Sequence, residues 1–201
     1  MSKTNLMKAI RDEVLALKTS PLYEYRTNNH YLPVIGEGSH DAEIMFVGEA
    51  PGRNEAKTGR PFCGAAGKVL DKLLEHVGIA RADVYVTNIV KDRPPENRDP
   101  TAEEIASYGP FLDRQIEIIQ PRVICALGRY AMGYIMRKFD LELEMEPISK
   151  AHGKIYKGKA SYGDIDIAVL YHPCVAVYNP NNLEGLKNDM EVLKKYRIKQ
   201  K

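Results

Sequence analysis

A carboxylate at the mouth of an apolar strand is the first residue of this sequence placed to do chemistry. Ile44-Met45-Phe46-Val47 is short, apolar and β-branched enough to form a buried strand. It breaks into Gly48-Glu49-Ala50-Pro51-Gly52, a turn fixed by Gly and Pro. Ligands of open α/β sheets bind at the carboxyl ends of strands. Glu49 therefore stands where a carboxylate can orient or deprotonate a water, or oppose a cation. Three more residues invite the same reading. Phe62 is the one aromatic of a second turn, Gly59-Arg60-Pro61-Phe62-Cys63-Gly64. Asn88 lies toward the end of an apolar run, where a solvent-seeking amide with one acceptor and two donors is unexpected. His172 follows another apolar run and precedes Pro173. Each also has an ordinary structural alternative: a turn-anchoring carboxylate, a core phenylalanine, an asparagine capping a strand end, a satisfied histidine.

The elements that must hold these residues follow from periodicity. Leu6, Ile10, Val14 and Leu17 make the stripe of an amphipathic helix over 3–17, and 18–41 reads as irregular. Strands are predicted over 43–48, 84–90, 123–127 and 167–171, and helices over 66–77, 101–119, 129–139 and 183–196. Val69, Leu70, Leu73 and Leu74 give the second helix its apolar face. Thr101 and Glu104 have capping-box spacing, and Pro121 ends that helix. Residues 140–164 read as mixed, with room for a β excursion. Alternating strands and helices predict an α/β fold: a three-layer α/β/α sandwich on a mainly parallel four-stranded sheet. Gly48, Asn88, Gly128 and His172 then share one rim.

The stretch GEAPGRNEAKTGRPFCGAAG resembles the signature of the family four uracil-DNA glycosylases, which usually reads GEAPGxxED and then GxPFVGxAG. The resemblance continues through Asn88-Ile89-Val90-Lys91, Arg93-Pro94-Pro95-Glu96-Asn97-Arg98 and His172-Pro173, in the family's order. It implies a DNA-repair enzyme that flips uracil out of DNA and hydrolyses its N-glycosidic bond, leaving an abasic site. It implies that Asn88 reads N3–H and O4 of uracil, that Phe62 stacks on the base, and that Gly48 and Ala50 line the base pocket beside Glu49. Glu49 would then serve the attacking water or the cationic sugar, and His172 would donate to O2 of the leaving base. The loop with Arg93, Pro94, Pro95 and Asn97, and the turn Gly128-Arg129, would press on the DNA backbone. The loop from Pro173 to Tyr178 would fill the gap left by the base, with Val177 or Tyr178 as wedge.

Several positions depart from that pattern. Relatives normally hold an iron–sulfur cluster on four cysteines, and cluster ligation needs thiolates. Here Leu17, Ser20, Asp92 and Tyr108 stand at those places, while the actual cysteines are Cys63, Cys125 and Cys174. A member without cluster, cofactor or metal is expected, with Leu17 and Tyr108 filling the vacated volume and Asp92 paired with a nearby Arg or Lys. The carboxylate pair of GEAPGxxED becomes Glu55-Ala56, and Cys63 and Cys174 stand beside candidate site residues. These changes keep open a broader deaminated-base glycosylase acting on hypoxanthine or xanthine, and also a non-catalytic binder of damaged DNA. His152 stands in SKAHG and not in the basic KRRIH loop of a related branch that attaches covalently to DNA, so covalent capture is not expected.

Bulk properties bound the rest. A length of 201 residues suits one domain over 1–201, expected to act as a monomer on double- or single-stranded uracil-containing DNA. A formal charge of +2 neither requires nor excludes nucleic acid. No apolar run reaches about 18 residues, and the N-terminus lacks the apolar core of a signal peptide. Three cysteines without a CxxC pair fit a reducing cytoplasm. The basic tail over 194–201 reads as a solvated helix end.

Overall fold

The computed structural model describes residues 1–196. In chain order its elements are α1 (Lys3–Leu15), α2 (Tyr23–Asn28), β1 (Glu37–Gly38), β2 (Ile44–Gly48), α3 (Arg53–Thr58), α4 (Ala65–Val77), β3 (Tyr85–Asn88), α5 (Ala102–Ile119), β4 (Val123–Leu127), α6 (Gly128–Lys138), α7 (Ile148–Ala151), β5 (Lys154–Ala160), β6 (Gly163–Leu170), α8 (Cys174–Tyr178) and α9 (Leu183–Met190), with short 3₁₀ turns between some of them. The sheet runs β1-β3-β2-β4-β6-β5. The four inner strands are mutually parallel, as expected. The predicted count of four is corrected to six, because antiparallel β1 and β5 border the sheet. β5 falls within the β excursion expected over 140–164, whereas β1 was hidden for a physical reason. β1 has two residues, too few for a period. β5 reads Lys154-Ile155-Tyr156-Lys157-Gly158-Lys159-Ala160, and exposed lysines blunt its free edge.

The central strands are buried on both faces, and alternate residues feed two cores. Met45, Val47, Ile124, Ala126, Ile167 and Val169 pack with α1, α5 and α6. Phe46, Val86, Cys125, Leu127, Ala168 and Leu170 pack with α4 and α9. The three-layer arrangement is therefore as predicted. Local details differ. α1 stops at Leu15, and Met7, not Leu6, joins Ile10 and Val14 in the core. Helix α4 starts at Ala65 behind Gly64. The final predicted helix is α9 followed by a 3₁₀ stretch, Glu191–Tyr196. The tail's last five residues lie outside the described ones. Thr101 and Glu104 do form the capping box of α5.

The positions where the resemblance implies cysteines carry a buried polar chain. Ser20 Oγ and Tyr108 Oη lie 2.6 Å apart, and Tyr108 Oη donates to Asp92 Oδ2 at 2.5 Å. Arg26 Nη1 donates to the Asp92 carboxylate at 3.1 and 3.3 Å and to the Val14 carbonyl, and its Nη2 donates to the Leu15 carbonyl. Asp92 has its expected arginine, and Tyr108 is fully buried in the apolar core against which Leu17 packs, its hydroxyl hydrogen-bonded to Asp92 and Ser20. Burial pushes the Asp92 carboxyl up, with Tyr108 and Arg26 opposing. The chain ties the end of α1, α2 and α5 to the base of the loop after β3.

Candidate active site

The ends of the parallel strands and the loops beyond them enclose a cleft of about 600 Å³. Glu49 and Ala50 enter it from the turn after β2, Asn88 from the end of β3, Gly128 and Arg129 from the start of α6, and His172 from the turn after β6. Gly48 pairs in register with Asn88, which sets those two strand ends side by side. A side chain at Gly48 would not fit. Its Cβ would fall 2.3 Å from Asn88 Oδ1 and 2.8 Å from Phe62 Cζ. The bare backbone lets the amide and the ring converge.

The Asn88 side chain is almost wholly buried and makes no hydrogen bond among the described residues, so it does not cap the strand. Its main-chain carbonyl accepts from Lys91 Nζ at 2.7 Å, which fixes the backbone beneath a free amide. A buried amide left unpaired in a cleft is costly unless a ligand completes it. Phe62 takes φ +48°, and its ring lies 5.6 Å from the His172 ring, tilted by 33°.

His172 Nδ1 accepts the Cys174 N–H at 3.1 Å. The remaining nitrogen, Nε2, therefore carries the proton of the neutral ring. Burial pushes this imidazole down to about 4, with the charge of Glu55 opposing, so the ring is uncharged at neutral pH. Such a ring is a hydrogen-bond donor, not a source of full positive charge.

Glu49 behaves differently. Its carboxylate makes no hydrogen bond among the described residues, so it does not anchor its turn. Burial first, and the charge of Asp99 second, push it up to about 7, with Arg129 pulling the other way. It is poised near neutrality, where proton transfer is efficient. Asp99 also lines the cleft and accepts from Arg129 at 2.5 Å and from Tyr130 at 2.9 Å. Sequence reasoning passed over Asp99, because nothing in Arg98-Asp99-Pro100 signals a partner some thirty positions away.

The expected DNA-facing residues divide. Pro94, Asn97, Arg129, Val177 and Tyr178 line the cleft. Tyr178 is 86% exposed and Val177 40% exposed, on the short helix α8 that Pro173 starts. Pro95 is half-buried outside the lining. Arg93 corrects the expectation that its guanidinium is presented to phosphates. It is 9% exposed, its Nε donates to Asn97 Oδ1 at 2.7 Å, and its Nη1 meets the Tyr25 and Tyr31 hydroxyls at 3.3 and 3.0 Å. It braces the loop from within. His152 lies outside the cleft lining, bonded through Nδ1 to Asp189 at 2.9 Å and stacked 4.3 Å from Tyr171.

Leu17, Ser20, Asp92 and Tyr108 supply no thiolate. Among the described residues no group of three or more His, Cys, Asp or Glu side chains is arranged to hold a metal ion. The side chains at these positions do not fit an iron–sulfur cluster.

The fold and the cleft define a class. Residues 35–196 match the model of the uracil DNA glycosylase superfamily, and the chain belongs to that superfamily. Within it, the chain is 45% identical over 193 residues to a type-4 uracil-DNA glycosylase of Sulfurisphaera tokodaii, covering 96% of this chain and 85% of that one. It is 44% identical over 179 residues to the type-4 enzyme of Archaeoglobus fulgidus, covering 89% and 87%. A type-5 uracil-DNA glycosylase of Thermus thermophilus is 32% identical over 164 residues, covering 74% and 72%.

Proposed function

We propose that this protein is a monofunctional uracil-DNA glycosylase of base-excision repair, in which Glu49 and His172 act on the reacting atoms and Asn88 and Phe62 hold the flipped base. The observation that carries the reading is the free amide of Asn88 facing a cleft that also holds an aromatic ring, a neutral histidine and a carboxyl poised near neutrality. The amide can accept from N3–H and donate to O4 of uracil, whereas cytosine offers the opposite pattern. Phe62 offers a stacking face, and such contacts contribute about 1–3 kcal/mol per base.

As the C1′–N1 bond breaks, its electron pair moves into the base and the sugar becomes cation-like. His172 Nε2–H donates to O2, where negative charge gathers. Glu49 as carboxylate opposes the sugar charge and receives or directs the proton of the water that adds to C1′. The products are free uracil and an abasic site. Among the described residues no lysine stands in the cleft lining to form a Schiff base, so the strand should remain unbroken.

The substrate is DNA, and in this reading double- or single-stranded DNA serves. Arg129 and the Pro94–Asn97 turn lie against the backbone, and Val177 or Tyr178 wedges the stack. The protein works as a monomer and one domain over 1–201, in the cytoplasm and without a cofactor or iron–sulfur cluster. No helix among the described residues is long and apolar enough to cross a membrane. A second reading, a broader deaminated-base glycosylase, draws on Cys174, which lines the same cleft. A cleavage assay on duplexes holding uracil, hypoxanthine or xanthine, and on single strands holding uracil, separates the two. Uracil excision with alkali-dependent strand breaks is expected. Intact substrate throughout would return the protein to a non-catalytic binder.

A further inference from the structure

We infer that Glu55 is a positioning residue that sets the place of the Phe62 ring. The inference rests on the reading of Phe62 as the surface on which the flipped base stacks.

Glu55 stands in the first turn of α3, in the stretch that follows the Glu49 turn. Its Oε1 accepts two main-chain N–H groups, from Cys63 at 3.0 Å and Gly64 at 2.8 Å. These are the two residues after Phe62, and Gly64 is the N-cap of α4. A carboxylate from one helix thus holds the start of another, where backbone donors lack intrahelical partners. The anchoring role that a turn carboxylate ordinarily plays falls to Glu55, which leaves Glu49 free.

Phe62 needs such a hold. A non-glycine residue at φ +48° persists only where its surroundings over-determine it. Three constraints converge on its peptide units. Glu55 binds the two amides that follow. Arg81 Nη2 donates to the Pro61 carbonyl at 2.9 Å and to the Phe62 carbonyl at 3.3 Å. Gly67 lets that carbonyl approach so closely that a Cβ there would lie 1.8 Å from it. The ring is thereby set against Gly48 and His172. Of these constraints, Glu55 alone also lines the cleft. It couples the turn that carries Glu49 to the turn that carries the ring.

A double-mutant cycle tests this directly. Single-turnover cleavage of a uracil duplex, and affinity for a duplex with a non-cleavable uracil analogue, are measured for Glu55→Ala, Glu55→Gln, Phe62→Ala and the Glu55→Ala/Phe62→Ala double variant. Loss of two hydrogen bonds to a charged acceptor should slow Glu55→Ala by about 10–100-fold. Glu55→Gln keeps an acceptor for both amides and should recover most of that loss. The double variant should be no slower than Phe62→Ala alone, because Glu55 acts through the ring. If Glu55→Ala does not fold, Glu55→Asp withdraws the acceptor from the two amides while keeping the charge, and should be impaired in the same way. Multiplying losses in the double variant, or a wild-type rate in Glu55→Asp, would overturn the inference. Wild-type behaviour of Phe62→Ala would instead remove the stacking role on which it rests.

Discussion

Asn88 and Glu49 show how much a single side chain decides here. Asn88→Asp replaces the donor that O4 of uracil needs with a second acceptor. Uracil excision should fall by about 10²-fold or more, the scale of losing one hydrogen bond and leaving a buried polar group facing another. Excision of uracil at the wild-type rate would remove Asn88 from the site. Glu49 carries a pH signature. Its folded-state value is raised from 4.5 to about 7, so the folded protein holds a proton there that the unfolded chain has released. Stability is therefore lost as pH rises through the window from 4.5 to 7. Glu49→Gln should abolish that slope and stabilise the protein above pH 7 by about 1–2 kcal/mol, allowing for partial solvent access. Cleavage by the wild type should rise through pH 7 as the carboxylate forms, with no second limb near neutrality from His172, already uncharged above about 4. Thermal denaturation and single-turnover rates across pH 5–9 check both statements. A flat rate profile would deny Glu49 its role as base or counter-charge.

At the scale of elements, the buried chain from Ser20 through Tyr108 and Asp92 to Arg26 stands at the positions where the resemblance implies a cluster. It joins α1, α2 and α5 to the loop that begins at Asp92. Asp92→Ala would strand the Arg26 guanidinium in a buried site, at a cost of about 3–5 kcal/mol. The melting temperature should fall by roughly 10 °C. A variant within a degree or two of wild type would show that the network is structurally idle. The elements also show where the sequence was legible. Glu49, Asn88 and His172 could be placed because each ends a strand whose apolar run is unmistakable, and strand ends share a rim. Arg93 could not. Its burial depends on Tyr25 and Tyr31, more than sixty residues away, in a segment without a periodic signal. The same holds for Asp99, whose neighbours Arg129 and Tyr130 reach it only once β4 and α6 are folded. β1 escaped for the opposite reason, since its signal is local but only two residues long, while β5 lies in the stretch expected to hold a β excursion.

At the scale of the whole molecule, among the described residues the cleft brings together the unpaired Asn88 amide, the raised Glu49 carboxyl and the neutral His172 ring, while other shifted groups such as Asp92 and Lys91 lie elsewhere. Eleven of the fifteen catalytic, base-binding and DNA-facing positions predicted from sequence enter that lining directly, and only Gly48, Arg93, Pro95 and Pro173 stay outside it. In the proposed reading the near-neutral total charge leaves DNA affinity to local groups such as Arg129. Binding and chemistry should therefore separate cleanly. In the proposed mechanism Glu49 and His172 act on charge that exists only in the transition state, and removing such contacts slows reaction while sparing the ground state. In the same proposal Phe62 meets the base before and during reaction. The most direct measurement compares single-turnover cleavage of a uracil duplex with affinity for a duplex holding a non-cleavable uracil analogue. Glu49→Gln and His172→Ala should each lose about 10²–10³-fold in rate, with analogue affinity changed by less than about tenfold, while Phe62→Ala loses both. Wild-type rates in both cleft variants, or analogue binding lost as fully as activity, would contradict the assignment of Glu49 and His172 to the chemical step.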